Sequence, residues 1–184
     1  MGGRTLNIAA IRSGGQTGAD RGALDAARQA GFPIRGWCPR GGWAEDKPEP
    51  SGLLAVYPEL VEAASPDPIV RTEWNVRDSD ATLIVCPGPV NPFSGTAATI
   101  EFAKSFGKPY FVSDGTDCMR VLDWLAALAD TSPEGLDLNV AGPRESGSPG
   151  VYELTRSLIA QILAMQTSST NAPLFVNERG RHHE

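Results

Sequence analysis

A glycine-rich stretch near the start of the chain constrains its fold most strongly. It covers residues 13–20, with the sequence Ser-Gly-Gly-Gln-Thr-Gly-Ala-Asp, between an apolar run at 6–11 and an alanine-rich segment at 21–28. This succession predicts a β-strand, a tight turn and an α-helix. A turn of this kind leaves backbone N–H groups at a helix N-terminus, where the helix dipole favours an anion.

We interpret this turn as a phosphate-binding loop. Glycines permit positive φ and a close approach of the backbone to a ligand, and the side chains of a glutamine and a threonine add hydrogen-bond donors. The sequence has neither the Gly-Lys-Ser/Thr of a P-loop nor the spacing GxGxxG. A turn whose glycines serve only local geometry is the alternative. The residues predicted to bind a ligand here are Gly14, Gly15, Gln16, Thr17 and Gly18.

The rest of the chain alternates between strand-like and helix-like segments. This alternation predicts an α/β fold, a Rossmann-like three-layer sandwich with a mainly parallel central sheet and helices on both faces. We expect one ligand-binding domain over residues 1–165 and a flexible C-terminal tail over residues 166–184. Strands are predicted at 32–37, 81–86, 110–112 and 136–141, helices at 71–78, 94–106, 117–129 and up to about 165, and a long functional or disordered loop at 38–65.

Three predicted strands, the first, the central and the last, each lead into a glycine-bearing loop that precedes a helix. In an open parallel sheet, ligands bind outside the carboxyl ends of the strands. We therefore expect the three loops to converge on one anionic, nucleotide-like ligand. In the second and third loops the predicted ligand-binding residues are Gly88, Ser94, Gly95, Thr96, Gly142, Arg144, Glu145 and Ser146.

Four arginines lie in or beside these loops: Arg40, Arg71, Arg77 and Arg144. A guanidinium group binds phosphate through two parallel hydrogen bonds, so all four are candidate phosphate ligands. Arg144 is the strongest candidate because it follows the last buried strand directly. A salt bridge to a neighbouring carboxylate is the alternative role.

Composition narrows the class of partner. A net charge of −6 and a pI near 5.0 argue against binding to nucleic acid or to an anionic membrane. The three cysteines are far apart without a CxxC pattern, so we predict neither disulfides nor a zinc site, and we expect a cytoplasmic protein. No apolar run is long enough to span a bilayer. The expected partner is therefore a small molecule.

Histidine is scarce, which limits the chemistry. The two histidines are His182 and His183 near the end of the chain, so histidine-based catalysis and histidine metal ligation lack their central residue, and we predict no catalytic metal. Any catalysis falls to carboxylates, each of which also suits a cap or a salt bridge. The candidates are Asp20, Glu45, Asp46, Glu73, Asp78 and Glu101.

Several linked motifs carry a family resemblance. They are residues 13–20, Gly-Trp-Cys-Pro-Arg-Gly at 36–41, Ala-Glu-Asp at 44–46, Arg-Thr-Glu-Trp-Asn-Val-Arg-Asp-Ser-Asp at 71–80, Gly-Thr-Ala at 95–97 and Leu-Asn-Val-Ala-Gly-Pro-Arg-Glu-Ser at 138–146. Through them the sequence resembles the molybdenum cofactor carrier family, a circularly permuted YpsA-like branch of the LOG and lysine-decarboxylase-like Rossmann proteins. The resemblance implies a domain, commonly a homo-oligomer such as a dimer or tetramer, that carries the molybdenum cofactor (molybdopterin) by its phosphate.

The wider group leaves an alternative open. Its LOG enzymes are phosphoribohydrolases of nucleoside 5′-monophosphates with the motif Pro-Gly-Gly-x-Gly-Thr-x-x-Glu, whereas residues 92–101 here read Pro-Phe-Ser-Gly-Thr-Ala-Ala-Thr-Ile-Glu. The carboxylate, Glu101, stands two residues late, which rotates it by about 200° on a helix. This departure favours a binding protein over an enzyme. A LOG-like hydrolase, with Glu101 as a weak catalytic candidate, or a nucleotide-binding sensor is the alternative.

Overall fold

Strands and helices alternate along the chain in the computed structural model, which describes residues 6–129 and 131–170. The alternation follows the apolar runs and glycine-bearing turns of the sequence. In chain order the elements are β1 (Ile8–Arg12), α1 (Ala19–Gln29), β2 (Ile34–Arg35), β3 (Trp37–Cys38), β4 (Val61–Glu62), α2 (Pro68–Arg77), β5 (Ala81–Val85), α3 (Gly95–Ser105), β6 (Tyr110–Ser113), α4 (Cys118–Ala129), β7 (Leu136–Ala141) and α5 (Val151–Thr170).

The central sheet has five parallel strands in the order β2-β1-β7-β5-β6. Strand β7, the last of the described strands, therefore lies between β1 and β5. All five residues of β5 are buried, as expected of an inner strand covered on both faces. Helices α1, α4 and α5 pack together in one layer, and α2 packs against α3 in another. The α/β sandwich predicted from the alternation of segments is confirmed.

Small residues allow helices α1 and α5 to pack closely. Ala23, Ala26 and Ala27 of α1 are buried where this helix packs against α5. A Cβ atom at Gly22 would lie 2.4 Å from the backbone oxygen of Tyr152, so glycine is needed at that position. The alanine-rich composition of α1 thus sets the distance between the two helices.

The predicted strand at 32–37 is divided between two sheets. Its first part forms β2 in the central sheet, and its end continues into β3, which pairs with β4 in a separate two-stranded parallel sheet. Gly36 separates the two with φ of 147°, and a Cβ atom there would lie 1.9 Å from the oxygen of Ser13. The break arises because the chain must pass close to the end of β1.

The segment 38–65 has more structure than its proline and glycine content indicates. It contains two short 3-10 helices, Arg40–Gly42 and Gly52–Ala55, and strand β4. Leu53, Tyr57 and Leu60 are buried in the main hydrophobic core. The Tyr57 hydroxyl donates to Asp25 Oδ1 at 2.5 Å. These contacts hold the segment against α1.

Two helix boundaries differ from the sequence prediction. Helix α2 begins three residues early, at Pro68, because the Asp67 carboxylate accepts a hydrogen bond from the backbone N–H of Ile69. Helix α5 continues to Thr170, and Gln166 on its last turns bonds both the N–H and the carbonyl of Ile8. The remainder of the predicted tail, residues 171–184, lies outside the described residues. No helix within residues 6–129 and 131–170 is long and apolar enough to cross a membrane.

Candidate ligand-binding site

A cavity of about 670 Å³ opens where β1, β7 and β5 end. Because these strands are neighbours in the sheet, the loops that follow them meet at one edge. We call them the β1–α1 loop (13–18), the β5–α3 loop (86–94) and the β7–α5 loop (142–150). Helix α2 closes another side of the cavity. Its lining consists of Gln16, Asp20, Pro68, Ile69, Arg71, Thr72, Cys86, Gly88, Pro89, Asn91, Ser94, Gly95, Thr96, Thr99, Ala141, Gly142, Pro143, Arg144, Ser146, Gly147 and Ser148.

The N-terminus of α3 faces this cavity. Ser94 caps the helix by accepting a hydrogen bond from the N–H of Ala97 at 3.2 Å. The N–H groups of Gly95 and Thr96 donate to no described residue. A Cβ atom at Gly88 or at Gly95 would meet nothing within 4 Å, so open space lies beside this helix end. Unpaired donors with adjacent space at a helix N-terminus favour an anion.

Glu45 occupies the centre of a group of donors at the β7–α5 loop. Its carboxylate accepts hydrogen bonds from the hydroxyl of Thr17 and, at 2.7 Å, from that of Ser146. Arg144 Nη1 lies 4.0 Å from Glu45 Oε2, and its guanidinium lies over the ring of Trp43, 5.4 Å from the centroid. The bond from Thr17 is the main reason that the pKa of Glu45 is lowered. These donors therefore form a cluster that already favours an anionic group.

The glycines of the β1–α1 loop contact the protein itself and lie outside the lining of the cavity. A Cβ atom at Gly14 would lie 1.8 Å from Arg71 Nη1, and one at Gly18, whose φ is 80°, would lie 2.4 Å from the oxygen of Pro143. Gly15, with φ of 74°, packs against leucine side chains of the 38–65 segment. The three glycines therefore allow other parts of the chain to approach this loop.

Gln16 is the residue of the β1–α1 loop that reaches the lining. Its side-chain oxygen accepts hydrogen bonds from the N–H groups of Thr17 at 3.1 Å and Glu45 at 2.9 Å. Gln16 thereby links this loop to the segment 38–65.

A buried ion pair between α1 and α2 contributes to the lining of the cavity. Asp20 Oδ2 accepts hydrogen bonds from Arg71 Nη1 at 2.9 Å and from the N–H of Gln16 at 3.4 Å. Burial raises the pKa of Asp20, and the positive charge of Arg71 offsets this only in part. Arg71 Nε is buried and has no hydrogen-bond partner among the described residues. Asp20 is the one carboxylate in the lining of this cavity, as far as the described chain goes.

The remaining predicted site residues lie elsewhere. Glu145 caps α5 by accepting hydrogen bonds from the N–H groups of Gly150 at 2.5 Å and Tyr152 at 3.0 Å. Arg40 donates to the carbonyl of Ala64, Arg77 pairs with Asp78 at 2.6 Å, and Glu101 is exposed on α3 and pairs with Lys104 at 2.8 Å. The structure thus brings together ten of the candidate residues in the lining: Gln16, Asp20, Arg71, Gly88, Ser94, Gly95, Thr96, Gly142, Arg144 and Ser146.

Sequence patterns identified only part of the lining. Thr99 lies one turn after Thr96 on α3, so helical spacing alone places both on one face of that helix. No sequence pattern marked Pro68 and Ile69 as lining residues, because their position depends on the path of the chain before α2. Within residues 6–129 and 131–170, no group of three or more histidine, cysteine, aspartate or glutamate side chains is arranged to hold a metal ion.

Comparisons with known proteins agree with this architecture. The chain matches the circularly permutated YpsA SLOG family over residues 11–163. Among solved structures it is similar to a protein of Syntrophus aciditrophicus SB that is provisionally named a molybdenum carrier protein. The identity is 36%, the TM-score is 0.72, and the match covers 84% of this chain and 96% of that chain. A search of curated proteins gave no match.

Proposed function

Because the chain belongs to the circularly permutated YpsA SLOG family, we propose that it binds and carries a phosphorylated pterin, the molybdenum cofactor, in the cavity between its three loops. The observation that carries the proposal is a cavity of about 670 Å³ bordered by free N–H groups at the start of α3 and by Arg144. This volume is typical of a site for a small organic ligand. The name of the similar solved protein, a molybdenum carrier protein, supports a ligand that contains molybdenum.

The N-terminus of α3 is the proposed binding point for the phosphate. Gly95 and Thr96 supply free N–H groups there, and the hydroxyl of Thr96 adds a donor within the same lining. Arg144 has 44% of its side chain exposed, so its guanidinium is free to turn from Glu45 towards a phosphate oxygen. The pterin and its metal-binding part then lie deeper, towards α1 and α2.

The carboxylates favour binding over hydrolysis. Cleavage of a glycosidic bond by acid–base catalysis ordinarily needs a pair of carboxylates at the reacting bond. Glu101 has 70% of its side chain exposed and pairs with Lys104, so it does not face the cavity. Asp20 is the one carboxylate in the described lining. Binding without turnover is what these side chains support.

The test is a binding and turnover assay on the purified protein. Molybdopterin, the mature cofactor, AMP and N6-substituted AMP are each added without oxygen, and the thermal unfolding midpoint and any released base are measured in the same samples. A ligand that binds only the folded state raises this midpoint by mass action. Stabilisation by the pterins without turnover would support the proposal. Binding of nucleotides alone would refute it, and release of free base would assign a LOG-like hydrolase instead.

A further inference from the structure

The Asp20–Arg71 pair differs from the other ion pair that is well buried among the described residues. Arg12 and Asp137, whose side chains are 11% exposed, form two parallel hydrogen bonds, from Nε to Oδ1 at 3.0 Å and from Nη2 to Oδ2 at 2.8 Å. Asp20 and Arg71 are about as buried, at 5% and 13%, yet they share one bond, from Nη1 to Oδ2. The Asp20–Arg71 pair therefore leaves much of its hydrogen-bonding capacity unused.

The unused atoms belong to residues that line the cavity. Asp20 Oδ1 accepts no hydrogen bond from the described residues, and neither Nε nor Nη2 of Arg71 donates one to them. Of these atoms Arg71 Nε is buried, and leaving it without a partner is costly because it has lost its hydrogen bond to water. A pair with only a structural role is expected to adopt the two-bond geometry of Arg12 and Asp137.

Building on the carrier function proposed above, we infer that Asp20 and Arg71 together recognise the 2-amino-4-oxo edge of the ligand's heterocycle. This edge presents the 2-amino group and N3–H as adjacent donors, followed by the O4 acceptor. A carboxylate accepts the two donors, and the guanidinium beside it donates to O4. An adenine edge presents one amino donor next to a ring acceptor, so it satisfies the pair less well. The preferred ligand is therefore a pterin or guanine-type heterocycle with a phosphate.

Gly14 makes this arrangement possible. The guanidinium of Arg71 occupies the position that a side chain at residue 14 would fill, since a Cβ atom there would lie 1.8 Å from Nη1. The obstructed atoms belong to the mobile end of an arginine, so alanine at residue 14 displaces the guanidinium while both members of the pair remain. Gly14→Ala therefore tests whether ligand binding requires the Arg71 guanidinium in its present position.

The experiment compares two ligands that differ only at C2. 6-Hydroxymethylpterin phosphate and its 2-desamino analogue are titrated calorimetrically into the wild-type chain. We expect the pterin to bind at least about tenfold more tightly, which is the effect of one hydrogen bond to a charged group. Asp20→Asn replaces an acceptor by a donor and should bring this ratio close to one. Gly14→Ala should weaken the binding of both ligands, because it displaces the Arg71 guanidinium that donates to O4.

Asp117→Asn is the matched control. Asp117 also lies at the start of a helix and pairs with an arginine, Arg120, at 3.4 Å, but it is outside the lining of the cavity. This variant should keep the wild-type ratio of affinities. Circular dichroism and thermal unfolding of each variant establish that it is folded.

The outcomes separate this inference from the carrier proposal. Equal affinity of the wild-type chain for the two phosphates, with molybdopterin still bound, would overturn edge recognition and leave the carrier function standing. An unchanged ratio in folded Asp20→Asn would do the same. Failure of every pterin to bind, while AMP binds, would overturn both. The ligand comparison needs only the wild-type chain, so it decides the matter even if Asp20→Asn does not fold.

Discussion

Replacing Gly18 by alanine tests whether the β1–α1 and β7–α5 loops must lie in direct contact. Gly18 caps α1 with φ of 80° and ψ of −132°, a conformation that L-residues rarely adopt. A Cβ atom there would lie 2.4 Å from the oxygen of Pro143 and 2.6 Å from the nitrogen of Glu145. Both obstructing atoms are backbone atoms, so no side-chain rotation relieves the contact.

The expected cost has two parts. A non-glycine residue held in such a conformation costs about 1–3 kcal/mol, and overpacking against a fixed backbone adds about 1–3 kcal/mol. We therefore expect Gly18→Ala to lower the free energy of unfolding by about 2–6 kcal/mol, measured by urea denaturation with tryptophan fluorescence. Because the clash moves the backbone next to Arg144, ligand affinity should fall as well.

Gly31→Ala separates the two contributions. Gly31 has φ of 71°, but a Cβ atom there would meet nothing within 4 Å. Gly31→Ala should therefore lower the free energy of unfolding only by the backbone cost, about 1–2 kcal/mol. If Gly18→Ala were no less stable than Gly31→Ala, the proposed steric contact between the loops would be wrong.

Three further predictions concern the site and the segment 38–65. Arg144→Gln should weaken binding of a phosphorylated pterin about tenfold in calorimetric titration, through loss of a charged hydrogen bond, and unchanged affinity would mean that Arg144 serves only Trp43 and Glu45. Because hydrogen bonds lower the pKa of Glu45 in the folded state, its contribution to stability is present above its unfolded-state pKa and is lost as the pH falls. The stability difference between the wild type and Glu45→Gln should therefore shrink as the pH falls below the unfolded-state pKa of about 4.3 in urea denaturation, and a constant difference would contradict this. Tyr57→Phe should lower the free energy of unfolding by about 1–2 kcal/mol, because it removes the 2.5 Å hydrogen bond to Asp25. A thermal unfolding midpoint equal to that of the wild type would contradict this.

The sequence predicted those features that depend on local patterns. The buried run at 81–86 became β5, and the three glycine-bearing loops were each identified from the segment around them. Their convergence followed from the general rule for parallel sheets. The position of β7 between β1 and β5 could not be derived, because adjacency in a sheet is set by contacts between segments that are distant in the chain. The ion pair between Arg71 and Asp20, which lie 51 residues apart in the chain, could not be predicted for the same reason.

The glycines show why a motif can be recognised from the sequence while its contacts stay hidden. Sequence patterns identify a glycine-rich turn but not what approaches it. A Cβ atom at Gly142 would lie 2.2 Å from the oxygen of Val85, and one at Gly18 would meet the backbone of the β7–α5 loop, so these two glycines hold the three strand ends together. Gly88 and Gly95 line the cavity and have open space around them. Glycines enclosed by backbone serve the fold, whereas glycines that face open space beside unpaired N–H groups leave room for a ligand. By this criterion the N-terminus of α3 is the better candidate for the proposed phosphate site, and the motif at residues 13–20 contributes Asp20, which pairs with Arg71 in the lining of the cavity.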